Sequence, residues 1–191
     1  MGRQNDLTRR LTDVIISIFI LAVFSPILLL AIIAIKTESK GPVFFLHERT
    51  GYRGKKFKLF KLRGMVANAL DIGPEITRIN DSRITKVGKI LRRTSIDEIP
   101  NFINVLRGEM TLVGPRPEIA SITDSYSDDQ KRVLDFLPGI TGISQINGRQ
   151  TLTPCERVKM EIKYYSNATF LQNMLIIFKT FKVIWSNKGN V

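Results

Sequence analysis

Two adjacent carboxylates, Asp97 and Glu98, have the residue types and spacing for chemistry on phosphate groups. Arg92 precedes them and Pro100 follows them, which favours an early helical turn, and a carboxylate near a helix N-terminus is stabilised in its ionised form. An ionised aspartate close to a divalent metal can attack phosphorus, because the metal and nearby arginines offset the repulsion between two anions. The alternative is a purely structural capping box, with Ser95 as N-cap and Glu98 three residues later.

A second candidate is the motif GPRP at residues 114–117, which places Arg116 between two prolines of fixed φ. A guanidinium on such a stiff loop binds two phosphate oxygens together at a low ordering cost. Alternatively, the motif is a structural turn whose arginine caps carbonyl groups. Lys61 and Arg92 would supply further positive charge around a diphosphate.

The elements that must position these residues begin with a β-hairpin. The stretch VFFLHER after Gly41-Pro42 predicts one strand, GYRG at residues 51–54 a turn, and residues 56–62 (KFKLFKL) a second strand. Lys61 interrupts the apolar face that Phe57 and Leu59 begin, either for a functional reason or because its stem extends to the edge of the sheet.

The rest of the globular part is predicted to be mostly helical. Residues 67–75 are irregular, residues 81–93 enter a basic helix or strand, residues 128–134 form a polar helix, and residues 156–185 are largely helical. The stretch MLIIFKTFKVIW within the last segment is typical of a helix in the lipid headgroup region, or of an ordinary amphipathic packing helix.

An uncharged N-terminal run, residues 14–35, would rise about 33 Å as a straight helix, which is enough to cross a hydrocarbon core. Ser25-Pro26 lies in its middle, where the missing donor and the proline ring predict a kink or break. The basic flanks are Arg3, Arg9 and Arg10 before the run, and Lys36, Lys40, Arg49, Arg53, Lys55, Lys56, Lys58, Lys61 and Arg63 after it. A helix that dips into the membrane and returns keeps both flanks in the cytoplasm. A spanning helix and a cleaved signal peptide are the alternatives, although IKTESKGP is a poor cleavage site.

Composition narrows the class of protein further. A chain of 191 residues can bury one core and carry one membrane-associated helix. The net charge of +12 indicates anionic partners, such as nucleic acid, lipid headgroups or phosphorylated substrates. The single Cys155 and the single His47 exclude an intramolecular disulfide and a four-ligand Cys/His zinc site. The sequence also contains no P-loop, G-x-G-x-x-G, G-x-S-x-G or H-E-x-x-H motif, so any nucleotide is bound by another device.

Several ordered motifs together resemble the bacterial sugar transferases, the monotopic polyprenyl-phosphate phosphoglycosyl transferases. The matching segments are Ser25-Pro26, GPVFF at 41–45, FKLFKLR at 57–63, residues 81–117 from DSRITK to VGPRP, and PGITGISQINGR at 138–149. They cover nearly the whole chain in a matching order and spacing, which is far more specific than any one of them.

This resemblance implies roles for the candidate residues. Asp97 is similar to the nucleophile that attacks the sugar-bearing phosphate of a UDP-sugar, releasing UMP and leaving a phospho-sugar that polyprenyl (undecaprenyl) phosphate then takes. Glu98 either helps to deprotonate that acceptor or supports magnesium and the geometry of Asp97. Lys61, Arg92 and Arg116 match the basic residues expected around the phosphates.

The resemblance also implies Mg²⁺ as cofactor, held by Asp97, and a place on the cytoplasmic face of the bacterial inner membrane, at the first membrane step of glycoconjugate biosynthesis. Membrane lipids but not nucleic acid are expected as partners, and homo-oligomerisation stays open. The expected fold is α+β and mostly helical, with a re-entrant membrane helix broken at Ser25-Pro26, a β-hairpin, and amphipathic interfacial helices around one small catalytic core. We expect residues 1–36 to form the membrane helix and its basic flank, and residues 37–191 the cytoplasmic catalytic domain.

A few positions depart from the family pattern. Gly64 stands where serine is frequent, His47 where glutamine is common and Glu161 where aspartate is usual, and the tryptophan expected after NGR is absent. These departures bear on sugar preference and local packing rather than on the class of reaction. Two alternatives from other classes stay open: a membrane-tethered nucleic-acid-binding protein that uses KKFKLFKLR, and a non-catalytic membrane scaffold of the same fold.

Overall fold

A computed structural model describes residues 6–75, 77, 81–147 and 152–185. The fold is α+β and mostly helical. Its helices are α1 (Asp6–Glu38), α2 (Lys86–Thr94), α3 (Asn101–Leu106), α4 (Ala120–Thr123), α5 (Asp128–Lys131), α6 (Ile143–Ile146), α7 (Pro154–Tyr165) and α8 (Phe170–Trp185). Its strands are β1 (Phe44–Thr50), β2 (Lys56–Leu62), β3 (Thr111–Val113) and β4 (Gly139–Thr141), and short 3₁₀ turns occur at Tyr52–Gly54, Ile96–Glu98 and Arg132–Asp135.

The predicted β-hairpin is confirmed. β1 and β2 pair antiparallel from Phe44 opposite Leu62 to Thr50 opposite Lys56, and the tight turn at Tyr52–Gly54 joins them. Alternation along β2 turns Phe57 and Leu59 into the core, where they pack with Val105 and Met110. Lys61 follows on the same face, as the sequence predicted.

A second, very small sheet carries the approach to the GPRP motif. β3 and β4 pair in parallel, with Thr111 opposite Gly139 and Val113 opposite Thr141. Leu112 and Val113 are buried against Ile176 of α8. This packing fixes the direction in which the chain enters residues 114–117.

The long helix α1 corrects one sequence prediction. It contains 33 residues and continues through Ser25-Pro26, so the expected break is not present as an interruption of the helix. Pro26 has no N–H to donate to the carbonyl of Ala22, but the Ser25 hydroxyl donates to that same carbonyl at 2.8 Å. The neighbouring serine thus compensates for the donor that proline removes, and the helix goes on.

The N-terminal end of α1 is bonded to the globular part of the protein. The Asp13 carboxylate accepts from the Thr111 hydroxyl at 2.7 Å and from the Leu112 N–H at 3.2 Å, while Arg9 donates to the Val113 carbonyl at 2.7 Å. Arg10 donates to two carbonyls at the end of α3. Arg9 and Arg10, which the sequence suggested as a basic flank, therefore act as structural ties, and Arg3 of that flank lies outside the described residues.

The C-terminal end of α1 contacts the same globular part at another place. Ile35 is buried with Ala31, Leu62 and Leu91 in one apolar cluster. One turn further, the Glu38 carboxylate accepts from the Lys86 N–H at 2.7 Å and from the Val87 N–H. Glu38 thereby satisfies free N–H groups at the start of α2.

Candidate functional site

The Asp97-Glu98 pair lies in a short turn between two helices. α2 ends at Thr94, and Ser95 adopts the left-handed conformation with φ 58° and closes the helix by donating its N–H to carbonyls of the last turn. Asp97 is 8% exposed within the following 3₁₀ turn. Because the Ser95 side chain makes no capping hydrogen bond, the capping-box interpretation of this motif is wrong. Ser95 ends one helix instead of beginning the next.

Lys61 reaches the acidic pair directly. Its ammonium lies 2.8 Å from the Glu98 carboxylate, and the two side chains are only 17% and 23% exposed. Removing one partner of a pair so shielded from solvent costs more than at the surface, because the other charge is left buried and uncompensated. The lysine that interrupts the apolar face of β2 therefore has a partner in the candidate site.

Arg92 lies on α2, at the place where this helix comes very close to the chain that follows β2. A Cβ atom placed on Gly88 would lie 1.9 Å from the Gly64 carbonyl oxygen, so the two backbones are in contact. Thr85 secures the crossing, since it donates its N–H to Gly64 at 3.2 Å and accepts from the Gly88 N–H at 2.9 Å. Across the same crossing, the Arg92 guanidinium lies beside Gly64.

The GPRP loop is fastened at every residue. Gly114 has no room for a side chain, because a Cβ there would lie 2.2 Å from the Leu137 carbonyl oxygen. The fastening bonds run from Gly114 N–H to Thr141 at 2.9 Å, from Gly139 N–H to Pro115 at 2.9 Å, from Arg116 N–H to Glu161 at 3.3 Å, and from the Arg49 guanidinium to the Pro117 carbonyl at 3.3 Å. The expected stiff loop is therefore present.

Behind the loop lies a buried acidic group. Glu161 is 3% exposed, accepts a 2.6 Å hydrogen bond from the Ser144 hydroxyl, and accepts the Arg116 N–H with the same oxygen. Burial raises the pKa of Glu161 above its usual value. Nearby, Glu118 and Arg157 form a largely buried ion pair at 2.8 Å.

Arg49 interacts both with the GPRP loop and with Glu98 of the acidic pair. Its guanidinium donates to the Pro117 carbonyl of the GPRP loop, and its positive charge interacts with the carboxylates of Glu118, Glu75 and Glu98. The structure thus pairs Lys61 with Glu98, next to Asp97, sets Arg92 against Gly64 three residues after Lys61, and holds Arg116 in a rigid loop bonded to the hairpin. Sequence reasoning missed Arg49, although strand alternation places it on the same face of the hairpin as Lys61.

A divalent metal is compatible with these residues in one particular way. Within the described part of the chain, no group of three or more His, Cys, Asp or Glu side chains is arranged to hold a metal ion. Mg²⁺ commonly binds through one or two carboxylates plus substrate phosphates, and needs no larger protein cage. The Asp97 carboxylate fits that manner of binding.

Comparison with known proteins places these features in context. The family model described as bacterial sugar transferase matches residues 4–187. The UDP-glucose:undecaprenyl-phosphate glucose-1-phosphate transferase of Klebsiella pneumoniae is 44% identical over 184 residues, which cover 92% of this chain and 40% of that protein. The protein of the same name from Caulobacter vibrioides is 38% identical over 188 residues, covering 92% of this chain and 68% of that protein. The exopolysaccharide production protein ExoY of Sinorhizobium fredii is 33% identical over 199 residues, covering 96% and 88%.

Proposed function

The chain belongs to the bacterial sugar transferase family, and from that premise we propose that it transfers a phospho-sugar from a UDP-sugar to polyprenyl phosphate, as a phosphoglycosyl transferase. The observation that carries the proposal is the buried turn holding Asp97 beside Glu98, with Lys61 paired to Glu98 at 2.8 Å. The names of two of the similar proteins describe transfer of glucose 1-phosphate to undecaprenyl phosphate.

The chemistry we propose proceeds in two displacements. A carboxylate oxygen of Asp97 attacks the phosphorus that bears the sugar, and the bond from that phosphorus to UMP breaks, so that UMP leaves with the electron pair. A phosphate oxygen of the polyprenyl phosphate then attacks the same phosphorus, and the bond to Asp97 breaks and restores the carboxylate. Lys61, Arg92 and Arg116 stabilise the charge on the phosphates in both steps.

Mg²⁺ is the proposed cofactor, with Asp97 as its protein ligand. When bound, the ion supplies positive charge that offsets the repulsion between the carboxylate and the diphosphate. Glu98 is held by Lys61, and we propose that this pair keeps the turn in the orientation that aims Asp97 at its substrate.

The same proposal places the protein on the cytoplasmic face of the bacterial inner membrane. α1 is long and apolar enough to cross a membrane, and only 11% of its apolar stretch is buried in the protein. Yet Asp13 near one end and Glu38 at the other both bond to the same globular part. A straight crossing would leave those two ends on opposite sides of the bilayer. We therefore propose that α1, although it is one continuous helix, bends at Ser25-Pro26, so that it enters the membrane and returns.

The last helix supports a second contact with the membrane surface. On α8, Leu171, Leu175, Phe178 and Phe181 are exposed at intervals of three or four residues, which is one face of a helix. Ile176 on the opposite side is buried. We propose that the exposed face lies in the headgroup region, where the basic surface of the protein attracts anionic lipid.

The deciding experiment measures UMP release by detergent-solubilised protein from a panel of UDP-sugars, with undecaprenyl phosphate and Mg²⁺ present. We expect Asp97→Asn to lower the rate by at least about 10⁴-fold while circular dichroism shows an intact fold, because the amide retains the shape but not the nucleophile. A donor labelled in the sugar-bearing phosphate should leave label on the native protein when the lipid acceptor is omitted.

Asp128→Asn is the matched control, because Asp128 is an exposed carboxylate paired with Lys131 on the surface of α5. It should leave UMP release unchanged. Near-native turnover by Asp97→Asn would exclude covalent catalysis through Asp97. A folded native chain that released no UMP from any UDP-sugar would point to another nucleotide donor or to the non-catalytic scaffold.

A further inference from the structure

His47, the chain's only histidine, makes two hydrogen bonds that fix its tautomer. Its Nδ1 lies 3.0 Å from an Arg49 nitrogen, and its Nε2 lies 2.9 Å from the Glu75 carboxylate. A guanidinium only donates hydrogen bonds, so Nδ1 must accept and therefore carries no proton. Nε2 then carries the proton and donates to Glu75. This arrangement requires the neutral ring.

The ring occupies a defined place beside the candidate site. Pairing of the strands puts Phe45 opposite Lys61 and His47 opposite Leu59, so His47 and Lys61 share one face of the hairpin. The His47 side chain is 12% exposed, whereas that of Glu75 is 43% exposed. The imidazole is thus held between a partly solvated carboxylate and an inner arginine.

That arginine transmits the position of the ring to the phosphate loop. One Arg49 nitrogen donates a hydrogen bond to the carbonyl of Pro117, the residue after Arg116. Another Arg49 nitrogen donates to Nδ1 of His47. The backbone adds a parallel tie, because the Thr50 N–H donates to the Glu118 carbonyl at 2.8 Å. A continuous series of contacts therefore runs from Glu75 through His47 and Arg49 to the end of the GPRP loop.

We propose that neutral His47 is a positioning residue, which holds Arg49 against the Pro117 carbonyl and so sets where Arg116 meets the phosphates of the donor. This inference rests on the proposed function. An accepting atom at this position is the required feature, which a glutamine side chain also provides.

Protonation of the ring removes that acceptor. A proton on Nδ1 would face the Arg49 guanidinium directly, and Lys61 on β2 adds a second cation to the same face. The negative charge of Glu75, in the chain after β2, acts against these two cations. Burial, followed by the charge of Arg49, lowers the pKa of His47 below its ordinary value of 6.5. The contact with Arg49 is therefore intact at neutral pH and is lost as the pH falls through that lowered pKa.

Nuclear magnetic resonance of the native protein tests the arrangement without any assay of turnover. Because there is one histidine, the imidazole signals belong to His47 alone. We expect the nitrogen shifts of the neutral Nε2–H tautomer and a titration midpoint below 6.5. The Nδ1–H tautomer, or a midpoint at or above 6.5, would overturn the inference even if the protein proves to have another activity.

Kinetics of two variants then test the consequence for the substrate. His47→Leu removes the acceptor, and we expect KM for the UDP-sugar to rise about tenfold, because the loop that carries Arg116 loses one of its ties. His47→Gln should keep KM close to native. The native protein should lose activity as the pH falls through the pKa of His47, and His47→Gln should not show this decline. Glu48→Gln is the control, since Glu48 lies on the other face of β1 and pairs with Lys56 at the surface.

The outcomes separate this inference from the proposed function. Native protein that releases no UMP refutes the proposed function, while the tautomer still reports on the His47 contacts. Active native protein, with unchanged KM in His47→Leu and an unchanged acidic decline in His47→Gln, refutes the positioning role alone. Should His47→Leu unfold, the pH profile of His47→Gln decides by itself.

Discussion

The crossing of Gly64 and Gly88 permits a sharp prediction, because two glycines face each other there with unequal space. A methyl group on Gly88 would lie 1.9 Å from the Gly64 carbonyl oxygen, 2.6 Å from its carbon and 2.8 Å from its Cα. All three are backbone atoms and cannot rotate away. A methyl group on Gly64 would instead meet the Arg92 side chain at 3.3 Å and the Gly88 Cα at 3.5 Å. Gly88→Ala should therefore be much more disruptive than Gly64→Ala.

The magnitude follows from how far the two segments must separate. To bring the closest contact of Gly88→Ala to van der Waals distance, α2 and the chain after β2 must move apart by about 1 Å or more. Such overpacking costs about 1–3 kcal/mol. The better helix propensity of alanine compared with glycine offsets about 1 kcal/mol of this cost. The net loss of up to about 2 kcal/mol should lower the thermal unfolding midpoint by up to about 8 °C.

The same displacement should affect activity more strongly than stability. α2 leads into the turn with Asp97, while the other segment follows directly on Lys61, so the movement separates the proposed nucleophile from a proposed phosphate-binding residue. A misplacement of this size costs about 10²-fold in rate. UMP release and circular dichroism at increasing temperature measure both effects on one preparation.

Two comparisons make this prediction refutable. Lys89→Ala, an exposed neighbour on α2, controls for substitution in the helix itself. Gly64→Ala should lower the free energy of unfolding by no more than about 0.5 kcal/mol, because only a side chain has to move. If Gly88→Ala and Gly64→Ala proved equally stable and equally active, the close backbone contact and its role in placing Asp97 would both be wrong.

Two further substitutions probe the supports of the site. Glu161→Gln should flatten the dependence of stability on pH. Because the pKa of Glu161 is raised in the folded state, the stability that this carboxyl group contributes is full below the unfolded value of 4.5 and is lost as the pH rises through the raised value, which thermal midpoints from about pH 5 to 8 will record. A native-like slope in the variant would contradict the burial of this carboxyl group. Glu38→Ala should lower stability by about 1 kcal/mol, since Lys86 and Val87 lose the acceptor for their N–H groups at the start of α2; Glu48→Ala is its exposed control, and an equal effect of both would refute that capping role.

The hairpin shows what local pattern can predict. Alternation along KFKLFKL and the turn signal GYRG were enough to give both strands and the two faces of β2, because a period of two and a tight turn leave few alternatives. The same alternation marked Lys61 as an interruption of an apolar face. Its reason, the ion pair with Glu98, is a contact between residues 37 positions apart, which no local pattern contains.

Two failures show where local rules compete. The sequence from Ser95 to Glu98 satisfies a capping box, yet the left-handed conformation of Ser95 serves the end of α2, so the requirement of the preceding helix prevails. At Ser25-Pro26 the rule that proline interrupts a helix did not take account of the serine hydroxyl, which bonds the carbonyl that proline leaves free. Both corrections depend on where one hydrogen bond goes, and the sequence does not state that.

The contacts of α1 tie the membrane helix to both halves of the candidate site. Its N-terminal end is bonded through Asp13 to β3, which runs directly into the loop that carries Arg116. Its C-terminal end is bonded through Glu38 to the start of α2, which runs directly into the turn that carries Asp97. The GPRP loop and Asp97 are therefore each one element away from the same helix. Since that helix is also the segment long and apolar enough to cross a membrane, its position and the spacing between the GPRP loop and Asp97 are mechanically connected. Under the proposed function, the site that accepts a lipid-borne substrate is thus built on the helix that enters the lipid.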